Sequence, residues 1–263
     1  MNGSSRLFRI AAPVIVGLLF VALWDAVVRH YDIPPYILPG PGLVAETLWR
    51  DGPSLLGSLL VTLRITLAAL AAAIIVGGLL AILFAQSRIL ELSLSPYAVI
   101  LQVTPIVAIA PLIIIWVNDV FLSLLVCAWI VAFFPIVANT TLGLNSADRN
   151  LVDLFRLYGA SRWQLLRYLR LPSALPFFLA GVRISGGLAL IGAVVAEFVA
   201  GTGGTETGLA SRILEAGYRL EIARLFAALL LLSLTGIAIF ALLSWVSRLL
   251  LAHWHESALP DED

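Results

Sequence analysis

The sequence predicts an all-α integral membrane protein with six transmembrane helices and both termini in the cytoplasm. Of its 263 residues, 61% are hydrophobic and only 12% are charged. Soluble domains average roughly 45–50% apolar and about 25% charged residues. The mean hydropathy is +1.02, so a water-soluble fold would lack the polar residues needed to cover its core.

Six apolar runs have the length of about 20 residues that a membrane-spanning helix needs. Arg6 and Arg9 precede the first run as they would precede a signal peptide, but no small-residue cleavage site follows it. We therefore expect the first run to remain as a helix. The six predicted spans cover residues 10–28, 65–85, 97–117, 121–139, 177–200 and 225–250.

The arginines define the predicted orientation, because positive residues collect on the cytoplasmic side of a membrane. All 16 basic residues are arginine. With the N-terminus inside, nine lie in cytoplasmic segments and five in outer loops, while Arg64 and Arg183 lie within or at the ends of spans. The loop after the fourth span alone holds five arginines against two acids, Asp148 and Asp153.

The composition also excludes several kinds of chemistry. Without lysine the chain has neither a P-loop nor a Schiff-base nucleophile. A single Cys127 excludes an intrachain disulfide and a cysteine-rich zinc site, and His30, His253 and His255 are not clustered with carboxylates as metal ligands would be. The net charge of zero predicts no nucleic-acid partner. No nucleophile stands beside a base, so we expect no enzyme activity and no metal or cofactor bound by this chain.

The chain is predicted to form one membrane domain. The segment 33–42, IPPYILPGPG, contains too much proline and glycine for a helix and predicts an extended crossing, followed by a short amphipathic stretch over 43–49. A second break, rich in glycine and threonine, covers 201–208. The predicted parts are a cytoplasmic N-terminus (1–9), the transmembrane domain (10–252) and an acidic cytoplasmic tail (253–263).

The longest polar interruption, residues 146–176, predicts two short helices joined by a tight turn. Apolar residues recur at helical spacing before Gly159, which suits the left-handed position that closes a helix. Ser161 and Gln164 form a capping-box pattern for the second helix. Pro172 and Pro176 are expected to end that helix.

Two interpretations of this loop remain open on physical grounds. It forms either an interfacial helix that rests on anionic lipid, or a docking surface for a cytoplasmic protein. Asp153 is expected near the N-terminal turn of the first helix, where a carboxylate is favoured by the helix dipole.

The loop resembles the cytoplasmic loop motif of ABC importer permeases, which reads Glu-Ala-Ala, three residues, Gly, nine residues, Ile, any residue, Leu-Pro. The matching runs are Asp153-Leu-Phe-Arg-Leu-Tyr-Gly159-Ala160-Ser161 and Leu169-Arg-Leu171-Pro172. Asp153 replaces the family's Glu, and Leu169 its Ile. Leu154 and Phe155 replace the two alanines and are much larger.

Further runs are similar to the branch of this family that includes permeases for sulfonates, taurine, nitrate and thiamine-precursor pyrimidines. One departure is Leu101-Gln102-Val103-Thr104-Pro105, which stands where Arg-Pro-Ile-Pro-Pro is more usual. The similar runs are Thr62-Leu-Arg64, residues 105–116 (PIVAIAPLIIIW), Phe134-Pro135-Ile136 and Val194-Val195-Ala196-Glu197-Phe198.

The resemblance implies a type I ABC importer permease in a bacterial inner membrane. Two permease copies would form the pathway, and two ATPase subunits would dock below it and use ATP and Mg. A periplasmic or lipid-anchored binding protein would deliver a small solute such as a sulfonate, taurine, nitrate or a pyrimidine-type vitamin precursor. The loop residues expected to couple to the ATPase are Asp153, Leu154, Phe155, Tyr158, Gly159, Ala160, Ser161, Trp163, Leu169, Leu171 and Pro172.

The third to fifth spans are expected to line the pathway, because Pro105, Pro111 and Pro135 interrupt them. Glu197 is expected to support the outer gate through a structural or ion-pair role. There are two alternatives. An ATP-independent secondary transporter or channel would need inverted repeats and mid-membrane charges, and the sequence shows neither. An intramembrane enzyme would need catalytic residues, which the predicted spans lack. The polar residues expected at the pathway are Gln102, Thr104, Asn139 and Glu197, together with Pro105.

Overall fold

The structure is a computed structural model that describes residues 3–201 and 207–252. The tail 253–263, with His253 and His255, and most of the predicted break 201–208 lie outside the described residues. All regular structure within the described ranges is helical. The helices are α1 (Gly3–His30), α2 (Pro41–Gln86), α3 (Arg88–Val103), α4 (Ile106–Val117), α5 (Val120–Asn145), α6 (Arg149–Leu157), α7 (Arg162–Leu165), a π-helical turn (Leu166–Arg170), α8 (Leu171–Ala200), α9 (Leu209–Tyr218) and α10 (Ile222–Leu251).

Five helices, α1, α2, α5, α8 and α10, are long and apolar enough to cross a membrane, and α3 with α4 would make a sixth span. These two helices meet at an angle of 102°, so the continuous third span predicted over 97–117 is wrong. Thr104 adopts an extended conformation because it precedes Pro105. Pro105 lacks the N–H that would continue the helix.

Helix α2 is longer than the predicted second span and absorbs the stretch 43–49 that was expected to be separate. Its 46 residues correspond to about 69 Å at 1.5 Å per residue, which is more than twice the thickness of a bilayer core. It begins at Pro41, where a proline suits the first helical turn because its missing N–H would be unpaired there anyway. The non-helical crossing therefore ends at Gly40 rather than at Gly42.

Helix α5 lies at the centre of the bundle and packs closely against α2 and α8. Small residues make this approach possible, because there is little hydrophobic drive between helices in lipid and backbone packing matters more. A Cβ added at Gly181 of α8 would lie 2.9 Å from the carbonyl oxygen of Pro135, and one at Gly192 would lie 2.8 Å from Cα of Ala128. The hydroxyl of Ser185 donates to the carbonyl of Ala132 across the same interface, at 2.6 Å.

Pro172 and Pro176 do not end the second loop helix, which corrects the prediction from sequence. The chain continues from α7 through the π-helical turn directly into α8. The N–H of Leu171 donates to the carbonyl of Leu166, five residues back, and this wider turn lets Pro172 enter the first turn of α8, where no N–H is required.

Candidate functional site

The first loop helix, α6, has defined caps at both ends. Asp148 accepts the N–H of Asn150 at 2.7 Å. At the other end, Gly159 has φ +71°, which confirms the predicted left-handed position. The N–H of Gly159 donates to Arg156 O, and that of Ala160 donates to Phe155 O, at 2.9 Å each. This pair of bonds is the Schellman arrangement, which satisfies the last carbonyls of a helix.

The second loop helix begins with the predicted capping box. The hydroxyl of Ser161 accepts the N–H of Gln164 at 3.2 Å, and Oε1 of Gln164 accepts the N–H of Ser161 at 2.7 Å. Two rigid caps therefore flank the turn at Gly159 and fix the angle between α6 and α7.

The predicted coupling residues divide into an exposed group and an inward-facing group. Leu169 is buried, and Leu171 packs beside the cluster of Ala81, Leu144, Leu166 and Ala174. The predicted residues Leu154, Tyr158 and Trp163 are exposed and, together with Leu151 and Leu157, form an apolar surface at the end of the molecule, where Tyr158 keeps 81% of its surface exposed. Phe155, also predicted to couple, is half-buried. We call this surface the exposed loop face, and its members are Leu151, Leu154, Leu157, Tyr158 and Trp163.

Asp153 is the fifth residue of α6 and lies just after its first turn, while Asp148 occupies the capping position. Its carboxylate is 3.3 Å from Nη1 of Arg156, and both side chains are largely exposed. A pair of this kind contributes roughly 0–1 kcal/mol to stability. Asp153 thus belongs to the rim of the exposed loop face.

The bend between α3 and α4 gathers three of the residues predicted at the pathway. Gln102 and Pro105 are exposed there, and Thr104 donates its hydroxyl to Ile100 O at 2.7 Å. Asn139 lies elsewhere: its side chain donates to Pro135 O at 2.8 Å, and it packs against Gly181 of α8.

Glu197 is 1% exposed and lies in the last turn of α8, where it faces the beginning of α9. Its Oε2 accepts the N–H of Ala210 at 2.9 Å. Beside it, Oγ1 of Thr62 in α2 accepts the N–H of Leu209 at 2.8 Å. The first N–H groups of a helix lack partners within the helix and carry partial positive charge, so they compensate part of the cost of burying this carboxylate. The partner of Glu197 is thus a helix N-terminus.

Three further residues, Gly208, Arg212 and Ser58, complete this group. A Cβ at Gly208 would overlap the carboxylate of Glu197, so only glycine fits at that position. Arg212 donates from Nε to the hydroxyl of Ser58 at 3.1 Å and from Nη1 to Glu215 at 2.8 Å. We call these residues the α9 capping cluster, which joins α2, α8 and α9: Ser58, Thr62, Glu197, Gly208 and Arg212.

A pH dependence of α9 follows from the Arg212–Glu215 pair. The hydrogen bond from Arg212 holds the pKa of Glu215 below its ordinary value. Because the pKa is lower in the folded than in the unfolded state, the ionised carboxylate stabilises the folded state at any pH above the ordinary carboxyl pKa. This contribution disappears as the pH falls through the lowered pKa. We expect the protection of the α9 amides against hydrogen exchange, corrected for the intrinsic pH dependence of the exchange rate, to fall at acid pH. Arg212→Gln should weaken this dependence and leave the part that Arg219, 2.9 Å from Glu215, maintains. Arg29→Gln, at an exposed pair far along the chain, should leave it unchanged. An unchanged acid response in Arg212→Gln would contradict the assignment.

Sequence reasoning identified Glu197 but missed its partners Thr62 and Gly208. Both Thr62 and Glu197 stand in runs that resemble the permease branch, and each is a polar residue inside an apolar stretch. That shared property was the available signal. Their proximity was not visible, because 135 positions of sequence separate the two side chains.

Within the described ranges, no three His, Cys, Asp or Glu side chains come together as metal ligands would.

Comparison with known proteins places these features in one family. Residues 73–252 match the family described as binding-protein-dependent transport system inner membrane component. The chain is 38% identical over 254 residues to the riboflavin transport system permease protein RibX of Chloroflexus aurantiacus, covering 93% of this chain and 90% of the relative. It is 33% identical over 247 residues to the formylaminopyrimidine transport permease protein ThiX of Halalkalibacterium halodurans, covering 94% and 97%.

A solved structure shows the same fold at lower sequence identity. A chain in the crystal structure of an amino acid ABC transporter with histidines superposes with a TM-score of 0.63 at 16% identity, covering 76% of this chain and 96% of that chain. The resemblance inferred from the loop motif is confirmed by the family match and by the relatives. This chain belongs to the inner-membrane permease components of binding-protein-dependent ABC transport systems, and it is a multi-pass membrane protein.

Proposed function

We propose that this chain forms the membrane pathway of an ATP-driven importer, with two copies side by side and two separate ATPase subunits below them that use ATP and Mg. A periplasmic or lipid-anchored binding protein delivers the solute from outside. The observation that carries this proposal is the exposed loop face, held by a Schellman turn and a capping box at one end of the bundle.

The exposed loop face suits a protein groove better than open water. A helix as short as α6 is marginal on its own, and here five large apolar side chains remain in contact with solvent. An amphipathic helix that places such a face in a groove is a common mode of protein recognition. Docking on an ATPase subunit would bury these side chains and transmit its movement to α8, because α7 continues into α8 without a break.

The bend between α3 and α4 is the proposed wall of the pathway. Non-helical backbone within a membrane is tolerated where it is covered by protein or faces a water-filled cavity. Gln102 is exposed on this bend, and a second copy of the chain placed against it would enclose a polar passage. Asn139 is half-buried where α5 packs against Gly181 of α8, so it would join this passage fully only if α8 moved away from α5.

Cysteine labelling tests this arrangement. Gln102→Cys should react readily with a water-soluble maleimide, whereas Asn139→Cys should react slowly unless ATP binding opens the bundle. The native Cys127 is buried and serves as an internal blank. Equal protection of both positions with and without ATP would contradict a pathway at the bend.

The proposed solute is a nitrogen heterocycle of the vitamin or vitamin-precursor type. Support comes from the two relatives, whose names specify riboflavin and formylaminopyrimidine, and which align over nearly the whole chain. The residues at the bend agree with a neutral solute, since Gln102 and Thr104 offer hydrogen bonds without charge. Sulfonates, taurine and nitrate, which the branch also includes, are the competing solutes.

The experiment is uptake into proteoliposomes that contain this chain, its ATPase and its binding protein. We expect ATP-dependent uptake of riboflavin or a pyrimidine precursor, with binding by the external protein showing the same preference. Uptake of taurine or nitrate instead would overturn the solute assignment alone. Uptake that proceeds without ATP and without the binding protein would favour a secondary transporter or channel and overturn the proposed function.

A further inference from the structure

A strongly basic cavity of about 610 Å³ lies where the turn between α2 and α3 meets the loop. Four arginines line it. Arg88 is paired with Glu91 at 2.8 Å and Arg156 with Asp153 at 3.3 Å. Within the ranges that the structure describes, the other two arginines have no carboxylate at ion-pair distance, so the cavity carries about two uncompensated positive charges. The four are Arg88, Arg156, Arg162 and Arg170.

The contact made by Arg170 shows where this cavity lies relative to the membrane. Its Nη1 donates to the carbonyl of Ala85, in the last turn of α2, at 2.9 Å. The cavity therefore lies at the ends of the membrane-spanning helices, where lipid headgroups would be. A guanidinium has five N–H donors, so Arg170 retains donors for a phosphate after this bond, and planar guanidinium groups match phosphate oxygens well.

A separate apolar groove of about 470 Å³ runs between α2 and α8. Gly78 and Ile82 of α2 form one wall, and Ala174 and Phe178 of α8 contribute to the other. Residues three or four apart share a helix face. On α2, the groove wall thus continues from Ile82 to residues 85 and 86. On the other side, the wall continues from Ala174 of α8 back to position 170. Residues 85, 86 and 170 line the basic cavity. The groove and the cavity are therefore adjacent along one face.

We propose that the basic cavity and the apolar groove together bind one anionic phospholipid of the cytoplasmic leaflet. Its phosphate lies between Arg162 and Arg170, and an acyl chain lies along the groove past Gly78. The arrangement matches both parts of such a molecule: a headgroup that needs positive charge at the membrane surface and a chain that needs an apolar channel. The lipid would join the loop to the end of α2.

Native mass spectrometry of the full-length chain tests the site, with phosphatidylglycerol and phosphatidylcholine offered in equal amounts. We expect the wild type to retain phosphatidylglycerol preferentially. An arginine near the membrane surface strengthens such binding by about fivefold, so Arg162→Gln should weaken it about fivefold and the double variant with Arg170→Gln about thirtyfold. Arg167→Gln is the matched control, because Arg167 is exposed on the same turn but outside the cavity.

The groove is tested separately by Gly78→Leu, which fills it without touching the arginines. A Cβ at Gly78 would lie 4.0 Å from the ring of Phe178, so the backbone accepts the change. We expect phosphatidylglycerol retention to fall in this variant, and added inorganic phosphate not to displace the lipid from the wild type. Equal retention of the two lipids, or an Arg162→Gln variant indistinguishable from Arg167→Gln, would overturn the proposal. Displacement by phosphate with no effect of Gly78→Leu would also overturn it and indicate a site for free anions.

Discussion

Replacement of Gly159 with valine is expected to abolish ATP-driven uptake while the membrane-spanning helices still insert. Gly159 has φ +71°, a conformation that a β-branched residue adopts only with strain. An added Cβ would meet no atom within 4 Å, so the effect comes from the backbone conformation and not from a clash. Valine would disrupt the two hydrogen bonds that close α6 and would change the angle at which the exposed loop face is presented.

The measurement combines co-purification of the ATPase with uptake into proteoliposomes. Loss of both indicates that Gly159→Val releases the ATPase, and loss of uptake alone indicates that it uncouples it. Gly159→Asn is the matched control, because asparagine tolerates the left-handed region and should retain most of the uptake. Full association and full uptake in Gly159→Val would show that the loop does not dock on the ATPase, and the interpretation as a lipid-surface helix would replace it.

Asp153→Ala is expected to be much milder than Gly159→Val. The Asp153–Arg156 pair is exposed to solvent on both sides, and charges at the rim of an interface contribute less than its apolar centre. We expect uptake to fall by at most a fewfold, and this difference can be measured in the same proteoliposomes. A loss as complete as that of Gly159→Val would mean that a charge contact with the partner dominates the docking.

Local patterns predicted the parts of this fold that depend on neighbouring residues. Hydropathy located five of the six spans, and the capping box at Ser161 and the turn at Gly159 were found because each is defined within a few positions of sequence. Proline was ambiguous: Pro105 separates two helices at 102°, whereas Pro172 enters a continuous helix. The difference arises from the π-helical turn before Pro172, which no local pattern indicated.

The parts that could not be predicted depend on packing between distant segments. Thr62 and Glu197 meet only because α2 and α8 lie side by side and α9 folds back between them. The inward position of Leu169 was likewise missed. The spacing of apolar residues along a helix shows that one face is apolar, but not whether that face packs against the same chain or against a partner protein. A single sequence contains the residues of such sites without their distances.

The second large effect is expected at Glu197, where substitution should uncouple ATP hydrolysis from transport. The carboxylate accepts the N–H of Ala210 in a buried setting and holds α9 against α2 and α8. Glu197→Ala leaves that donor without a partner, at about 1–3 kcal/mol, and Glu197→Gln retains an oxygen that can accept the same N–H, so its effect should be smaller. We therefore expect ATP consumed per transported solute to rise in Glu197→Gln and to rise further in Glu197→Ala.

Affinity for the external binding protein should stay unchanged, since Glu197 is buried and lies below the surface that a partner could reach. Gly208→Ala disturbs the same contact from the other side, because its Cβ would overlap the carboxylate, and it should reproduce the uncoupling of Glu197→Ala. Glu221→Gln is the matched control, as Glu221 is exposed just before α10 and pairs only with Arg224 in the described part of the chain. Normal coupling in both Glu197 variants would reduce Glu197 to a boundary residue of α8. Uncoupling in Glu197→Ala together with normal coupling in Gly208→Ala would instead assign the effect to the Glu197 side chain itself, because the position of α9 would then be irrelevant to the gate.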